Sequence, residues 1–173
     1  MVFVIAEAGV NHNGSLDLAY ELIDQASKIG VNAIKFQTFI TENVLVKNTQ
    51  KAPYQSKLTD VNETQWEMIK KLELKFSDFE KLYEYSQKKE IEFLSTPFDI
   101  KSLNFLTNKL KLQTIKIPSG EITNLPFILE VAKYANNIIL STGMCNLSDI
   151  ELALATIAFG LLREDKEKNI RNF

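Results

Sequence analysis

Hydrophobic and polar positions follow one another in a recurring order along the chain: a short apolar run, a cluster of small and polar residues, and then an amphipathic segment. This order predicts a strand followed by a helix, repeated five times. Repeated βαβ units are right-handed and form a parallel sheet, so the predicted fold class is α/β. The predicted strands span residues 2–8, 33–39, 91–96, 114–117 and 138–141.

Helix-start signals locate most of the predicted helices. Ser15 is suited to cap a helix that ends before Gly30, and three stretches have Ser or Thr followed three residues later by Glu, the pattern of a capping box. The three boxes are Thr64 with Glu67, Ser77 with Glu80, and Ser148 with Glu151. The remaining predictions are helices over 100–108 and 125–134, a long loop over 41–63 and a solvated tail over 163–171.

Two architectures accommodate five parallel strands. A doubly wound open sheet would be complete at this length, whereas a (β/α)₈ barrel typically needs about 250 residues. The strands alternate, whereas strands covered by helices on both faces read as continuous apolar runs. Ile34 and Phe36, for example, face opposite to Lys35 and Gln37. This alternation favours a TIM-type barrel, of which the chain would hold about the first five β/α units.

The composition is that of an ordinary globular domain, with 173 residues, 45% hydrophobic, 24% charged and a net charge of -2. Such a small net charge argues against nucleic acid or a membrane surface as a partner. No apolar run is long enough to span a bilayer, and the N-terminal residues lack a basic signal-peptide region. With one cysteine, Cys145, and one histidine, His12, the chain alone supplies neither a disulfide nor a two-histidine metal site. We therefore expect a soluble cytoplasmic domain.

Polar side chains concentrate at the carboxyl ends of the predicted strands, where barrels and open sheets alike bind ligands. They are Glu7, Lys35, Gln37, Ser95, Thr96, Lys116, Ser119, Glu121, Ser141 and Thr142. A lysine in the middle of a strand is costly to bury unless it is paired or bound to an anion. Two lysines with several hydroxyls would suit a phosphate or a carboxylate. The alternative is that each lysine pairs with a carboxylate such as Glu7 or Glu121.

Two further residues have open interpretations. Glu121 follows the turn sequence Pro-Ser-Gly and is a candidate general acid or base, but it could instead cap the helix that begins near Leu125. His12 lies in a tight turn after the first strand. A lone histidine there is more often a structural hydrogen-bonding residue than a metal ligand.

Five stretches, each near the end of a predicted strand, resemble the sialic acid synthase family and occur in that family's order. They read IAEAGVNHNG (5–14), IKFQTF (34–39), FLSTPFD (93–99), KIPSGEITN (116–124) and LSTGM (140–144). The resemblance covers residues 2–160. It implies a (β/α)₈ barrel, followed in the family by a small antifreeze-like domain, in a homodimer.

The activity that this resemblance implies is a condensation. Phosphoenolpyruvate reacts with an N-acylated hexosamine, such as N-acetylmannosamine or a diacetamido relative, to give a nine-carbon 2-keto sugar acid and phosphate. A divalent ion, Mn²⁺ or Mg²⁺, would activate the sugar aldehyde. By position, the phosphoenolpyruvate contacts of the family correspond to Lys35, Thr96, Lys116, Ser119 and Ser141. Gln37 matches a contact to the amino sugar, Glu121 the acidic residue placed for proton transfer, and Glu7 a carboxylate near the metal and the sugar.

The chain departs from the family's pattern at its C-terminal end. The last three barrel strands, the antifreeze-like domain and the two histidine metal ligands would lie beyond it, so we expect no metal ligand in this chain. Residues 1–173 would then form the N-terminal portion of a synthase barrel. Two other interpretations stay open: a catalytically inactive fragment or partner subunit that only binds phosphoenolpyruvate or another anion, and a 3-deoxy-sugar-acid phosphate synthase.

Overall fold

The structure of the chain is a computed structural model that describes residues 2–51 and 63–162. Contacts group the chain into two compact units, Met1–Phe93 and Leu94–Phe173. Through the described residues, strands and helices alternate in the order that the hydrophobic pattern predicts. No described helix is both long enough and apolar enough to cross a membrane.

The described residues contain five strands, which confirms the predicted number. They are β1 (Ile5–Gly9), β2 (Ala33–Thr38), β3 (Glu92–Pro97), β4 (Thr114–Ile117) and β5 (Asn137–Leu140). Hydrogen bonds join them as a three-stranded sheet in the order β1-β2-β3 and a two-stranded sheet of β4 and β5. β1 runs parallel to β2, and β4 parallel to β5, as βαβ units require.

Seven α-helices lie between and after these strands in the described residues. They are α1 (Leu16–Lys28), α2 (Thr41–Val44), α3 (Gln65–Lys70), α4 (Phe76–Lys88), α5 (Ile100–Asn104), α6 (Leu125–Tyr134) and α7 (Leu147–Leu161). A π-helical turn, Phe105–Lys109, continues α5, so the helix predicted over 100–108 changes its hydrogen-bonding pattern halfway. A 3₁₀ turn, Ser119–Glu121, follows β4. Helices alternating with parallel strands confirm the α/β class.

Two of the predicted helix starts are confirmed in detail. The Ser15 hydroxyl accepts a hydrogen bond from the Leu18 amide at the start of α1. Thr64 and Glu67 form a complete capping box ahead of α3, each side chain accepting from the other's backbone amide. Both signals are local in sequence, which is why they could be read without the structure.

The other two predicted capping boxes are wrong. α4 already begins at Phe76, so Ser77 lies inside its first turn rather than at its cap. The N-cap of α7 is Asn146, two residues before Ser148, and the Asp149 carboxylate accepts from the Asn146 amide at 3.0 Å. Asn is as good an N-cap as Ser. The sequence therefore offers two overlapping starts, and the earlier one forms.

The loop predicted over 41–63 begins with the short helix α2, which is a correction. The amide and hydroxyl of Thr41 donate to one carboxylate oxygen of Glu73, at 2.7 and 2.5 Å. Glu73 lies far along the chain, so the local pattern around Thr41 does not reveal this support. Residues 52–62 of that loop and the predicted tail over 163–171 lie outside the described residues.

The first strand also begins later than predicted. β1 starts at Ile5, which pairs with Ala33, the first residue of β2. Ahead of it, the Val4 amide donates to the Asn32 side chain at 2.7 Å instead of to a strand partner. The apolar character of residues 2–4 therefore does not extend the strand, because strand length depends on what the neighbouring strand can pair with.

In the first unit, α1 packs against α4, β1 and β2. α1 buries Ala19 and Ile23 completely, as its periodicity predicts, whereas Ile29 lies beyond the last helical residue and is 69% exposed. From β2, Phe36 stacks on Phe93 with ring centroids 5.4 Å apart. The apolar side chains of β2 therefore lie in a core of this unit.

In the second unit, β4 alternates as predicted, with Ile115 and Ile117 fully buried and Thr114 and Lys116 half-buried. α6 packs against α7, and this contact is close because α7 carries Gly160 where it meets α6. A Cβ at that position would lie 2.5 Å from the Cβ of Ala132 and 3.2 Å from a methyl group of Leu129. The two helices approach to a distance that no larger residue at position 160 permits.

Replacing Gly160 by Ala should therefore destabilise the second unit. Overpacking costs about 1–3 kcal/mol, and a contact this close belongs at the upper end. The higher helix propensity of alanine offsets about 1 kcal/mol of that cost. Gly120→Ala is the matched control, because a Cβ there meets nothing within 4 Å. Urea unfolding should show a lower free energy of unfolding for Gly160→Ala alone, and equal values for the two variants would contradict the close helix contact.

Candidate active site

At the carboxyl end of β1, Glu7 pairs in register with Lys35 of β2, and the two side chains form an ion pair. The Lys35 side chain is 12% exposed and that of Glu7 is 52% exposed. A largely buried ammonium group needs such a partner. For Lys35, the alternative that it pairs with a carboxylate such as Glu7 is therefore confirmed, and the carboxylate of the pair is open to solvent.

Gln37 lies two residues beyond Lys35 on β2 and therefore projects from the same face of the strand. Its amide nitrogen and the Glu7 carboxylate both lie beside the backbone of Gly9, the last residue of β1. Parallel pairing thus brings three predicted site residues, one carboxylate, one ammonium group and one amide, to the same end of the β1–β2 pair.

Thr96 lies near the end of β3 and is 3% exposed. Among the eight predicted site residues it is the only buried one, since the other seven are half-buried or exposed. Its neighbour Ser95 is completely buried. The hydroxyl of Thr96 is therefore enclosed by protein, unlike the other predicted contacts to phosphoenolpyruvate.

In the second unit, the carbonyl oxygen of Ile117 joins the ends of β4 and β5. It accepts a hydrogen bond from the Lys116 ammonium group at 2.8 Å and another from the Ser141 backbone amide at 3.0 Å. Lys116 and Ser141 are both predicted contacts to phosphoenolpyruvate, and they meet at this oxygen. The structure therefore places a cation and a serine together at the carboxyl end of the β4–β5 pair.

Ser119 opens the 3₁₀ turn after β4 and faces the loop that follows β5. Its hydroxyl oxygen lies 3.6 Å from the position of a Cβ on Gly143, and the Cys145 sulfur lies 4.0 Å from its backbone oxygen. The two segments therefore pack against each other. With Lys116 and Ser141, Ser119 gives one ammonium group and two hydroxyls on adjacent strand ends, a set of donors that suits an anion.

The Glu121 carboxylate accepts a hydrogen bond from the side-chain amide of Asn124 at 2.7 Å. Asn124 is also the N-cap of α6, because its side-chain oxygen accepts from the Phe127 amide at 3.3 Å. The alternative that Glu121 caps this helix is therefore wrong. Sequence reasoning missed Asn124, although an asparagine directly before a predicted helix is a common N-cap signal.

His12 lies in the turn between β1 and α1 and is 1% exposed. Its Nδ1 accepts a hydrogen bond from the Gly14 amide at 3.1 Å, which supports the structural interpretation of this residue. Because Nδ1 accepts, the neutral ring carries its proton on Nε2. Burial lowers the pKa of His12 below its usual value of 6.5, because the charged ring is poorly solvated there.

Within residues 2–51 and 63–162, no three His, Cys, Asp or Glu side chains are grouped closely enough to hold a metal ion. The described residues alone therefore do not supply a complete ligand set for the divalent ion that the family resemblance implies. The predicted site residues offer groups suited to anion binding, amide recognition and proton transfer.

The described architecture is part of a TIM-type barrel. A solved sialic acid synthetase from Leptospira borgpetersenii, in complex with citrate, matches it with a TM-score of 0.77 at 34% identity. The match covers 92% of this chain and 51% of that one, so the chain spans only part of the barrel protein. The predicted partial barrel is therefore confirmed.

The chain belongs to the NeuB family, whose profile matches residues 22–171. Among curated relatives, the N,N'-diacetyllegionaminic acid synthase of Campylobacter jejuni is 51% identical over 87% of this chain and 45% of that protein. The enzyme of the same name from Legionella pneumophila is 46% identical over 90% of this chain and 43% of that protein. The chain thus spans less than half the length of these relatives. The family resemblance is confirmed, and the ligand roles of the eight site residues stay predictions.

The lowered pKa of His12 predicts that stability falls as the pH is lowered from 7.5 to 5.5. In that range the unfolded chain binds a proton at His12 more readily than the folded chain does, so protonation favours unfolding. One group contributes at most about 1.4 kcal/mol per pH unit. His12 is the chain's single histidine, so His12→Asn should remove this part of the slope while its side-chain oxygen can still accept from Gly14.

Urea unfolding of both proteins at pH 5.5, 6.5 and 7.5 measures this difference. Asp24 and Glu63 have pKa values lowered by hydrogen bonds from lysines, so they lose their stabilising contribution only when the pH falls below their ordinary range near 4. Between pH 5.5 and 7.5 their stabilising contribution is constant, so they add nothing to the slope. The same slope in the wild type and in His12→Asn would contradict the assignment.

Proposed function

We propose that this chain forms part of a sialic-acid-type synthase that condenses phosphoenolpyruvate with an N-acylated hexosamine. C3 of phosphoenolpyruvate bonds to the aldehyde carbon of the open-chain sugar, water adds at C2, and phosphate leaves with cleavage of its C–O bond. The products are a nine-carbon 2-keto sugar acid and phosphate. Membership of the NeuB family is the observation that carries this proposal. The homodimer implied by the resemblance belongs to the same proposal.

We infer that the acceptor is a diacetamido hexosamine, the kind of sugar that leads to a diacetylated legionaminic acid. The two curated relatives at 51% and 46% identity both have the name of N,N'-diacetyllegionaminic acid synthase. The solved sialic acid synthetase is less similar, at 34%. N-acetylmannosamine is the competing acceptor, and a substrate comparison distinguishes the two.

The phosphate or carboxylate of phosphoenolpyruvate is proposed to bind at the carboxyl ends of β4 and β5. Lys116 would supply the positive charge, and Ser119 and Ser141 would supply hydroxyl donors. Hydrogen bonds between charged groups are about twice as strong as neutral ones. The bond from Lys116 to the Ile117 carbonyl already restricts the lysine, so binding would immobilise little further side-chain motion. For Lys35 and Thr96 the proposed contact to phosphoenolpyruvate rests on the family resemblance alone.

The end of the β1–β2 pair is proposed to bind the sugar. The side-chain amide of Gln37 can both donate and accept, as recognition of an acetamido group requires. Glu7 is half exposed next to it, and its ion pair with Lys35 holds the carboxylate in one place. We assign Glu7 to a hydroxyl group of the sugar, which would donate to the carboxylate.

Glu121 is proposed to transfer a proton at the reacting carbons. A general acid or base must be accessible and oriented. The Glu121 side chain is half-buried, and one of its carboxylate oxygens is held by Asn124 at 2.7 Å. The other oxygen then points in a defined direction for proton transfer.

The test is a phosphate-release assay on the complete gene product that carries this chain, given phosphoenolpyruvate, Mn²⁺ or Mg²⁺, and one sugar at a time. We expect release with a diacetamido hexosamine, a nine-carbon acid identified by mass spectrometry, and slower release with N-acetylmannosamine. Binding of phosphoenolpyruvate without release would favour an anion-binding subunit. Turnover with arabinose or erythrose phosphate would favour a 3-deoxy-sugar-acid synthase. Either result would contradict the proposal.

Two substitutions should separate binding from turnover in that assay. Lys116→Ala removes a charge-assisted hydrogen bond worth about 1.5–3 kcal/mol, so KM for phosphoenolpyruvate should rise about 10- to 100-fold. Glu121→Gln keeps the shape and removes the proton-transfer group, so kcat should fall about 10²- to 10⁴-fold. Lys101→Ala, at an exposed helix position, is the control for loss of charge. An unchanged KM in Lys116→Ala, or an unchanged kcat in Glu121→Gln, would remove that residue from the proposed site.

A further inference from the structure

Gly9 ends β1 with a φ of +54°, a left-handed backbone conformation that L-residues with side chains rarely adopt. The register between β1 and β2 shifts at this point. Glu7 pairs with Lys35 and Gly9 with Phe36, so Ala8 is an extra residue on β1. Such a β-bulge bends its strand and redirects side chains, and bulges are over-represented next to active sites.

The space where a side chain at position 9 would begin is bordered by two of the predicted site residues. A Cβ on Gly9 would lie 3.3 Å from Oε1 of Glu7 and 3.5 Å from Nε2 of Gln37. The first distance is tighter than nine in ten real Cβ contacts. The other carboxylate oxygen of Glu7, Oε2, makes the ion pair with Lys35. Both oxygens of the Glu7 carboxylate therefore have a close neighbour, the Lys35 ammonium group at Oε2 and the Gly9 position at Oε1.

We propose that Gly9 is a positioning residue, whose missing side chain leaves the space that the Glu7 carboxylate needs at the end of β1, beside the Gln37 amide. A methyl group at position 9 would force the Glu7 carboxylate to shift by a few tenths of an ångström and so disturb its ion pair with Lys35. The proposal rests on the proposed function in one respect, because Glu7 and Gln37 are the residues assigned there to the sugar.

A glycine is also needed at this position for the backbone alone, so the test must separate backbone strain from occupied space. Gly30 provides the matched control. Its φ is +75°, and a Cβ there meets nothing within 4 Å. Alanine at either position imposes left-handed strain, but only at position 9 does its Cβ approach site residues. Asparagine tolerates the left-handed conformation better than alanine. Gly9→Asn therefore reduces the strain while keeping the Cβ.

The first measurement needs no substrate. The four variants Gly9→Ala, Gly9→Asn, Gly30→Ala and Gly30→Asn of the complete gene product are treated with limiting acetic anhydride. Labelling of Lys35 is then quantified by peptide mass spectrometry against the exposed Lys101. Lys35 is 12% exposed and ion-paired, so its labelling in the wild type should be slow. We expect it to rise severalfold in both Gly9 variants and to stay at the wild-type level in both Gly30 variants.

The second measurement is the condensation assay. Misplacing a substrate-contacting group by about 1 Å can cost up to about 100-fold. The contact at Gly9 requires a shift of a few tenths of an ångström, so we expect the Gly9 variants to lose a few-fold to about 10-fold in kcat/KM for the sugar, mainly through KM. The Gly30 variants should keep the wild-type value. If Gly9→Ala does not fold, the labelling and the assay are evaluated with Gly9→Asn and its control, Gly30→Asn.

Equal Lys35 labelling in the Gly9 and Gly30 variants would overturn the proposal, whatever their activity. If the wild type does not condense the substrates and Lys35 labelling still rises only in the Gly9 variants, the proposed function fails and the positioning role of Gly9 stands. The two failures are therefore distinguishable.

Discussion

Parallel strands of one sheet all end at the same edge, and the grouping of the polar residues in this chain depends on that constraint. In the β1–β2 pair it sets Glu7 opposite Lys35. In the β4–β5 pair it brings the Ser141 amide to the Ile117 carbonyl. Both contacts join residues that are far apart in sequence, with a helix between them. The register of two short strand pairs, rather than the conformation of any single loop, therefore determines which side chains can act together.

The same register creates an electrostatic problem, because each pair carries a lysine near its end. The two positive charges are compensated differently: Lys35 forms an ion pair with a carboxylate, and Lys116 donates to a backbone carbonyl. A hydrogen bond to a neutral oxygen is weaker than one to an ionised group. In the proposed function, Lys116 is accordingly the lysine assigned to the anion. The Lys35–Glu7 pair is better suited to stay intact and hold the carboxylate in place.

The sequence predicts correctly those features of the fold that depend on neighbouring residues in the chain. The hydrophobic periodicity predicts the five strands. The caps at Ser15 and Thr64 predict two helix starts, because a cap depends only on residues within one helical turn. The helix α2 could not be found this way, since its first residue is held by Glu73. Likewise, Lys35 was identified as needing a partner, but strand register decided that the partner is Glu7.

The glycines show most clearly that the sequence gives the type of each residue but not the atoms that surround it in the fold. Gly9, Gly30 and Gly160 are the same letter in sequence, yet a Cβ would meet site residues at the first, nothing at the second and a neighbouring helix at the third. The difference lies entirely in neighbours supplied by other parts of the chain. The cost of filling each space falls on those neighbours, so it should appear as lost stability at Gly160 and as a displaced carboxylate at Gly9.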